Sequence, residues 1–267
     1  MPLLHAIILG AVQGLTEFVP VSSSGHLVVV PAALGWPEPG LTFDVLLHIA
    51  SLIALIAYFW SDLVEIVRGV FTGDSRGRRL ALMLVIGTIP AALAGLLLGD
   101  YFDRSFNDAK SSALQLIITA AILVAGERAL AWRRKKAGPQ GKLRDIDDLR
   151  TPDATAIGIA QAIAILPGIS RSGSTIAAGL GLGFEREDAA RFAFLLAVPA
   201  LAGAAVLKAP DIGNATIGTG AAIAGFLTSL VTSYVAIAAL IRYLKTNTVY
   251  PFAAYCVVAG IVFYLLV

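Results

Sequence analysis

Two short stretches of the chain carry polar groups within otherwise apolar sequence. The first stretch runs from Gln13 to His26 and contains Glu17 and three consecutive serines. Gln13 and Glu17 lie one helical turn apart, so their side chains share one face of a helix. A carboxylate in this position can bind a divalent cation or act as an acid or base. The competing interpretation is a glutamate that only caps a helix. Function is favoured because Glu17 precedes a serine cluster within an apolar run.

The serines and the histidine of this stretch allow two kinds of chemistry. Ser22, Ser23 and Ser24 are predicted to begin a helix, whose free N–H groups and serine hydroxyls together can bind an anion. A serine beside a histidine is also a candidate nucleophile with its base. The alternatives are serines that only cap the helix and a His26 that is only a buried, hydrogen-bonded residue. The nearby Glu17 favours the functional interpretation.

The second polar stretch, residues 167–175, places Arg171 between two serines. An unpaired arginine within apolar sequence is costly, and its planar guanidinium suits phosphate. Neighbouring small and hydroxylated residues can bring further donors to an anion; they are Ser170, Ser172, Gly173 and Thr175. The alternative is a structural ion pair between Arg171 and Glu17, which would also join the two stretches.

The composition indicates an integral membrane protein. Of the 267 residues, 57% are hydrophobic and 14% are charged, whereas soluble domains contain about 25% charged residues. The mean hydropathy of +0.81 agrees. A soluble domain of useful size is therefore excluded, and nucleic acid is not an expected partner. The single cysteine, Cys256, excludes an intrachain disulfide. The N-terminus lacks the basic region of a signal peptide, so we expect the first apolar stretch to be retained.

The apolar runs predict an all-α fold with six spans and two re-entrant pairs. A span needs about 20 residues, and six runs are long enough: Leu41–Trp60, Leu80–Gly99, Ser111–Trp132, Ala189–Leu207, Ala215–Ile241 and Tyr250–Val267. Four shorter runs form two pairs, each joined by a polar link with proline or glycine: Leu3–Val19 with Ser23–Leu34, and Ala154–Leu166 with Ser172–Phe184. Runs this short suit helices that enter and leave on one membrane face.

The distribution of lysine and arginine predicts the topology. Basic residues concentrate in the loops 61–79, 132–153 and 242–249 and at Arg186 and Arg191, whereas the opposite loops hold only Arg104, Lys110 and Lys208. The basic loops are therefore assigned to the cytoplasm. Six spans then alternate only if both short pairs turn back. The first pair enters from outside, the second enters from inside, and both termini lie outside.

A weak internal repeat accompanies this topology. At an offset of 148 residues, Gly10, Gln13, Ser22, Ser24 and Gly25 fall on Gly158, Gln161, Ser170, Ser172 and Gly173. We therefore predict a single domain with an inverted repeat, whose halves, about 1–132 and 153–267, are joined by the basic loop 133–152. Such repeats place the functional site near mid-membrane, where broken helices meet.

Two further sets of polar residues lie outside these two stretches. Asp44 and His48 lie one turn apart and either support the site or form a simple interfacial pair. The hydroxyl groups of one later span, from Thr228, Ser229, Thr232 and Ser233, are expected to hold helices together.

The two polar stretches resemble the two signature segments of the bacterial undecaprenyl-diphosphate phosphatases of the bacitracin-resistance (BacA) type. The resemblance covers the whole chain and includes Phe194–Pro199 and the sequence that begins at Tyr250. It implies hydrolysis of undecaprenyl diphosphate, which recycles the lipid carrier of cell-wall synthesis and confers bacitracin resistance. It also implies Mg²⁺ or Ca²⁺, a homodimer, and a site open to the outer face of the bacterial cytoplasmic membrane.

The resemblance also carries over individual site residues. The family's acidic motif falls on Gln13 and Glu17, and the serine–histidine segment on Ser22, Ser23 and His26. The arginine motif falls on Ser170, Arg171, Ser172 and Thr175. One family position takes either glutamate or glutamine. It is Gln13 here, which argues against a metal site with two carboxylates, although the amide oxygen can still bind a cation.

Together these observations predict a membrane hydrolase with Glu17, Ser23, His26 and Arg171 as catalytic residues. Ser23 is the hypothetical nucleophile, with His26 or Glu17 accepting its proton, and direct attack by water is the alternative. Ser22, Ser24, Ser170, Ser172, Gly173 and Thr175 are predicted to bind phosphate together with Arg171, and Gln13 and Glu17 to bind the cation. The rival function is a transporter or flippase of a phosphorylated lipid or small anion. A non-catalytic scaffold ranks last.

Overall fold

The chain folds into α-helices, as the sequence predicts. The computed structural model describes residues 1–105, 109–138, 141–166, 168–208 and 217–267, with only the backbone for 98–105. These ranges contain eleven α-helices: α1 Leu3–Phe18, α2 Ser23–Leu34, α3 Leu41–Tyr58, α4 Trp60–Thr72, α5 Ser75–Ser105, α6 Ala109–Ala137, α7 Thr151–Ile163, α8 Arg171–Leu182, α9 Arg186–Lys208, α10 Thr219–Leu244 and α11 Tyr250–Leu266.

Five of these helices are long and apolar enough to cross a membrane. They are α3, residues 75–97 of α5, α6, α9 and α10. Large apolar side chains cover their exposed surfaces, for example Leu97 and Val231, as expected for contact with lipid tails. The chain is therefore a multi-pass membrane protein. The sixth predicted span corresponds to α11, which has 17 residues and measures about 26 Å at 1.5 Å per residue. The predicted start of another span, Ala215, lies outside the described residues.

The prediction of a loop over residues 61–79 is wrong, because most of this segment is helical. Helix α4 buries only Ile66 and Gly69; Asp62, Leu63 and Val64 are partly buried, and its other residues are exposed. Its charged residues make it look like a connecting loop in the sequence. The helix ends at Gly73, whose φ of +81° is the left-handed conformation that glycine adopts readily.

The two short helix pairs are built alike. We call the break between α1 and α2, residues 19–22, the first elbow, and the break between α7 and α8, residues 164–170, the second elbow. Ser22 caps α2 by accepting a hydrogen bond from the Gly25 N–H, and Ser170 caps α8 by accepting one from the Gly173 N–H. Both second helices have 12 residues and end at a left-handed glycine, Gly35 and Gly183. Caps and ends are therefore separated by the same 148 residues as the sequence repeat.

Each short pair packs against a long helix of the other half of the chain. Helix α1 lies along α10, and α7 lies along α5. Backbone touches backbone at both crossings, because a Cβ atom at Gly10 or Gly158 would collide with the carbonyl oxygen of Gly225 or Gly87. This close packing holds the two elbows in the interior of the helix assembly.

Candidate active site

The two elbows and the helices that follow them are in direct contact. The Ser172 hydroxyl donates to the carbonyl oxygen of Val19 at 3.3 Å. The Gly168 N–H donates to the Ser24 hydroxyl at 3.4 Å, and the Arg171 guanidinium pairs with the Glu17 carboxylate. The prediction that the two polar stretches meet is therefore confirmed. We call Glu17, Ser23 and Arg171 the elbow junction.

The Glu17 carboxylate is the centre of the elbow junction. Its side chain is 3% exposed. Oxygen Oε1 accepts a hydrogen bond from Arg171 Nη2. Oxygen Oε2 accepts from the Ser23 hydroxyl and from Gln13 Nε2 at 3.0 Å, and His48 Nε2 lies 3.6 Å away. A candidate nucleophile is thus hydrogen-bonded to a candidate base, which is the arrangement that nucleophilic catalysis requires.

Arg171 keeps the capacity to bind a ligand although it pairs with Glu17. The structural ion pair considered from the sequence is present, but a guanidinium has five N–H donors and the Arg171 side chain remains 25% exposed. Ser24 is also partly exposed beside it. Because α2 and α8 begin at this junction, their first N–H groups and positive dipole ends add to an environment that favours anions.

Several predicted phosphate-binding groups are already engaged within the protein. The Ser22 and Ser170 hydroxyls accept hydrogen bonds from the Gly25 and Gly173 N–H groups. The Thr175 hydroxyl donates to the Arg171 carbonyl oxygen at 2.8 Å. The capping interpretation of these serines therefore holds in this state. Ser172 and Ser24 are engaged as well, so the partly exposed Arg171 is the side chain best placed to contact an anion.

His26 faces away from the proposed nucleophile. Its Nδ1 lies 2.7 Å from the Ser22 carbonyl oxygen, and its Nε2 lies 2.7 Å from the Tyr255 hydroxyl. With both nitrogens so engaged, the ring makes no hydrogen bond to Ser23 or Glu17. Tyr255 was missed at the sequence level, because a single tyrosine in an apolar run carries no pattern that links it to a residue 229 positions earlier.

Thr119 on α6 fixes the second elbow and was also missed. Its hydroxyl donates to the Gly168 carbonyl oxygen at 3.2 Å and accepts from the Ser170 N–H at 2.9 Å. Gly168 has a φ of +89°, and a Cβ atom there would lie 2.7 Å from the Ser112 carbonyl oxygen. Only glycine fits this close approach.

A buried polar network supports Gln13 from behind. Gln13 Nε2 lies 3.5 Å from the Ser51 hydroxyl, and Ser233 donates to Ser51 at 2.9 Å. Ser229 donates to the Leu47 carbonyl oxygen at 3.0 Å. The hydroxyl groups of α10 therefore hold helices together, as expected. His48 supports the site rather than pairing with the side chain of Asp44, because its Nδ1 donates to the Asp44 carbonyl oxygen.

The donors at the junction fit a cation bound largely by its substrate. In the described ranges, no three His, Cys, Asp or Glu side chains form a metal cluster. Glu17 supplies a carboxylate, and the buried Gln13 Oε1 has no hydrogen-bond partner within these ranges. Mg²⁺ commonly binds one or two carboxylates together with substrate phosphates. The oxygen donors present suit that arrangement, although Glu17 is already engaged by Arg171 and Ser23.

Two surface cavities lie elsewhere and are lined by basic residues. One contacts Arg134, Lys135 and Arg186, and another contacts Lys142 and Arg144. Neither includes a residue of the elbow junction. We locate the candidate site at the junction because one buried carboxylate there contacts both a serine hydroxyl and a guanidinium.

Comparisons with known proteins show the family of this chain. Residues 6–262 match the family described as bacitracin resistance protein BacA. The undecaprenyl-diphosphatase of Thermomicrobium roseum is 41% identical over 98% of this chain and 97% of its own length. The corresponding protein of Geobacter sulfurreducens is 42% identical over 97% of this chain and 96% of its own. That of Moorella thermoacetica is 43% identical over 96% of this chain and 94% of its own. This chain therefore belongs to the BacA family.

Proposed function

We propose that this protein is an undecaprenyl-diphosphatase, which hydrolyses undecaprenyl diphosphate to undecaprenyl phosphate and inorganic phosphate. The family match and the relatives of that name support the reaction. The structural observation that carries it is the contact of Ser23 and Arg171 with the two oxygens of one buried carboxylate, Glu17. The reaction returns the lipid carrier to cell-wall synthesis.

The setting of the junction suits both parts of this substrate. The diphosphate head is strongly anionic and needs the guanidinium of Arg171 and the starts of α2 and α8. The polyprenyl tail is apolar and can remain against the apolar helix surfaces that face lipid. A soluble phosphatase would have to extract the whole lipid, whereas an intramembrane site needs only to receive the head group.

Substrate binding changes the partner of Arg171. The terminal phosphate competes with Glu17 for the guanidinium. The planar carboxylate and the tetrahedral phosphate are both oxyanions that accept bidentate hydrogen bonds from arginine. As Arg171 turns to the phosphate, the Glu17 carboxylate loses a neutralising partner and becomes a stronger base. The same event therefore binds the substrate and activates the group that is hydrogen-bonded to Ser23.

In the proposed reaction, the Ser23 oxygen attacks the terminal phosphorus and its proton passes to Glu17 Oε2. The bond from phosphorus to the bridging oxygen breaks, and undecaprenyl phosphate leaves with the proton that Glu17 returns. Water then attacks the phosphoserine, Glu17 accepts the water proton, and that proton passes back to Ser23 as inorganic phosphate leaves. Direct attack by a water oriented by Glu17 is the alternative, and trapping of a phosphoserine distinguishes the two.

A divalent cation, Mg²⁺ or Ca²⁺, would be held by Glu17 and Gln13 together with the phosphates. Such a cation offsets the negative charge of the diphosphate. Oxygen ligands are what both ions prefer, and the unpartnered Gln13 Oε1 is available.

We also propose the finer topology. It comprises six spans, with α11 as the last, and two re-entrant pairs, α1–α2 and α7–α8, in an inverted repeat. The identical caps and ends of the two pairs support the repeat. Helix α2 measures about 18 Å at 1.5 Å per residue, well short of the roughly 30 Å hydrocarbon layer. The basic loops then lie in the cytoplasm, the termini outside, and the site toward the outer face of the bacterial inner membrane. A homodimer is proposed on the family resemblance alone.

The decisive experiment measures phosphate release from undecaprenyl diphosphate by the purified protein in detergent. No membrane separates two compartments there, so a transporter or flippase would bind the lipid without releasing phosphate. Release that Ser23→Ala and Glu17→Gln each strongly reduce supports the proposed hydrolase. Retained release in Ser23→Ala would leave the hydrolase intact but move the attack to water.

A further inference from the structure

Ser22, the residue before the proposed nucleophile, has a conformation that side chains rarely adopt. Its φ is +67°, and it is the one non-glycine residue with positive φ within the described ranges. Such a conformation is strained and persists only when the surrounding structure enforces it. Because Ser22 immediately precedes Ser23, its backbone angles set the direction of the Ser23 hydroxyl toward Glu17.

A chain of two hydrogen bonds fixes Ser22 from the last helix. A carbonyl oxygen only accepts, so His26 Nδ1 carries the proton that it donates to the Ser22 carbonyl oxygen at 2.7 Å. In the neutral ring, Nε2 is then an acceptor, and it faces the Tyr255 hydroxyl at 2.7 Å. The Ser22 carbonyl oxygen therefore selects the Nδ1–H tautomer, and the Tyr255 hydroxyl supports that tautomer by donating a hydrogen bond to Nε2.

Helix α11 contacts the first elbow at further points. Phe263 meets the His26 ring edge to face, with 5.7 Å between ring centroids. The neighbouring thiol, Cys256, lies 3.7 Å from the Pro20 carbonyl oxygen. The aromatic rings of His26 and Tyr255 are nearly parallel, with an angle of 10° between their planes. The elbow is thus supported on both sides of Ser22 by one helix from the other end of the chain.

We propose that Tyr255 is a positioning residue for the reaction, acting through His26 to keep Ser22 in its strained conformation and Ser23 directed at Glu17. The inference rests on the proposed hydrolase function and gives His26 a role other than proton acceptor. It explains why both ring nitrogens of a histidine beside the nucleophile face other groups. Tyr255 is 45% exposed, so its hydroxyl, rather than its burial, is the feature that contributes.

The test compares Tyr255→Phe with Tyr264→Phe, a matched control on the same helix with similar exposure, 43%. The Tyr264 ring faces Lys110, and phenylalanine preserves that ring. We expect Tyr255→Phe to lower kcat about tenfold, as the loss of one hydrogen bond predicts, with KM nearly unchanged because the phosphate contacts remain. Tyr264→Phe should retain both constants. Equal kcat values in the two variants would overturn the proposal.

A second measurement does not depend on activity, and its first part needs no variant. In the unsubstituted protein, ¹⁵N NMR of labelled histidine should show His26 as the Nδ1–H tautomer, with an Nε2 shift that moves in Tyr255→Phe and stays in Tyr264→Phe. An Nε2–H tautomer would contradict the proposal, whatever the kcat and KM values of the two variants. If the unsubstituted protein releases no phosphate, the proposed function fails, whereas the tautomer still reports on the Tyr255–His26 contact.

Discussion

Glu17 illustrates how one buried carboxylate can serve several functions one after another. In the described state its charge is balanced by Arg171 and its oxygens are held by Ser23 and Gln13. An isolated charge at this depth would be costly, and the pairing removes that cost. A phosphate that draws Arg171 away also leaves a base beside a hydroxyl. The ion pair is therefore compatible with catalysis, because it is the resting arrangement of the same groups.

The planar guanidinium of Arg171 gives the first prediction at the residue scale. Arg171→Lys retains the charge but loses the paired N–H donors that match a phosphate. We expect kcat/KM for undecaprenyl diphosphate to fall about 100-fold or more, the range seen when a donor to developing charge is removed. Arg76→Lys is the control, since Arg76 forms an exposed ion pair with Glu65 and should stay within about twofold. Near-normal turnover in Arg171→Lys would count against phosphate binding by this residue.

The charge of Glu17 gives the second prediction at the residue scale. Glu17→Gln keeps the size of the side chain and can still accept from Ser23, but it is neither a base nor an anionic ligand. We expect turnover to fall about 100-fold, in the range attributed to a positioned base, and the remaining activity to lose its response to Mg²⁺ or Ca²⁺. Glu65→Gln, on the exposed α4, serves as the control. An unchanged metal titration in Glu17→Gln would remove Glu17 from the cation site.

Close helix crossings, together with side-chain hydrogen bonds such as those of Thr119, hold the elbows in register. Gly158 contacts the backbone of Gly87 where α7 crosses α5. Gly158→Ala should therefore push the two helices apart, destabilise the protein by about 1–3 kcal/mol, and lower activity by displacing the second elbow. Gly203→Ala is the matched control, because nothing lies within 4 Å of its Cβ position in α9. A thermal melting temperature lowered in Gly158→Ala and not in Gly203→Ala is the expected result, and equal melting temperatures would contradict it.

The features that could be predicted from the sequence are those that the energetics of a membrane protein require. Glu17 and Arg171 had to find partners inside a membrane protein, so their meeting could be expected from composition alone. Helix α4 was missed because its charges suggested a loop. Thr119 and Tyr255 were missed because a single hydroxyl in an apolar helix gives no indication of its partner. The direction of the His26 ring depends on α11, and no local sequence pattern encodes that contact.

At the scale of the whole molecule, the repeat places unlike residues at equivalent positions. Ser23 and Arg171 are each the first residue of the second helix of their pair, and 148 residues separate them. Their two side chains therefore reach the same carboxylate, one at each oxygen. The equivalent of Glu17 in the second half is Ile165, and the equivalent of His26 is Ser174. The two halves are thus chemically unequal, which suits one catalytic centre more than two alternating binding states.

The orientation of the whole molecule gives the last prediction. If the basic loops face the cytoplasm, Glu38 between α2 and α3 lies outside and Lys142 lies inside; both side chains are exposed. We expect a membrane-impermeant maleimide to label Glu38→Cys on intact cells and Lys142→Cys only after lysis, each in a Cys256→Ala background. The native thiol of Cys256 is buried. Its removal in the background protein ensures that any labelling comes from the introduced cysteine. The reverse pattern would invert the topology and open the site toward the cytoplasm. Labelling of both positions on intact cells would mean that an even number of helices crosses the membrane between them, and the assignment of α3, α5 and α6 as three successive spans would then be wrong.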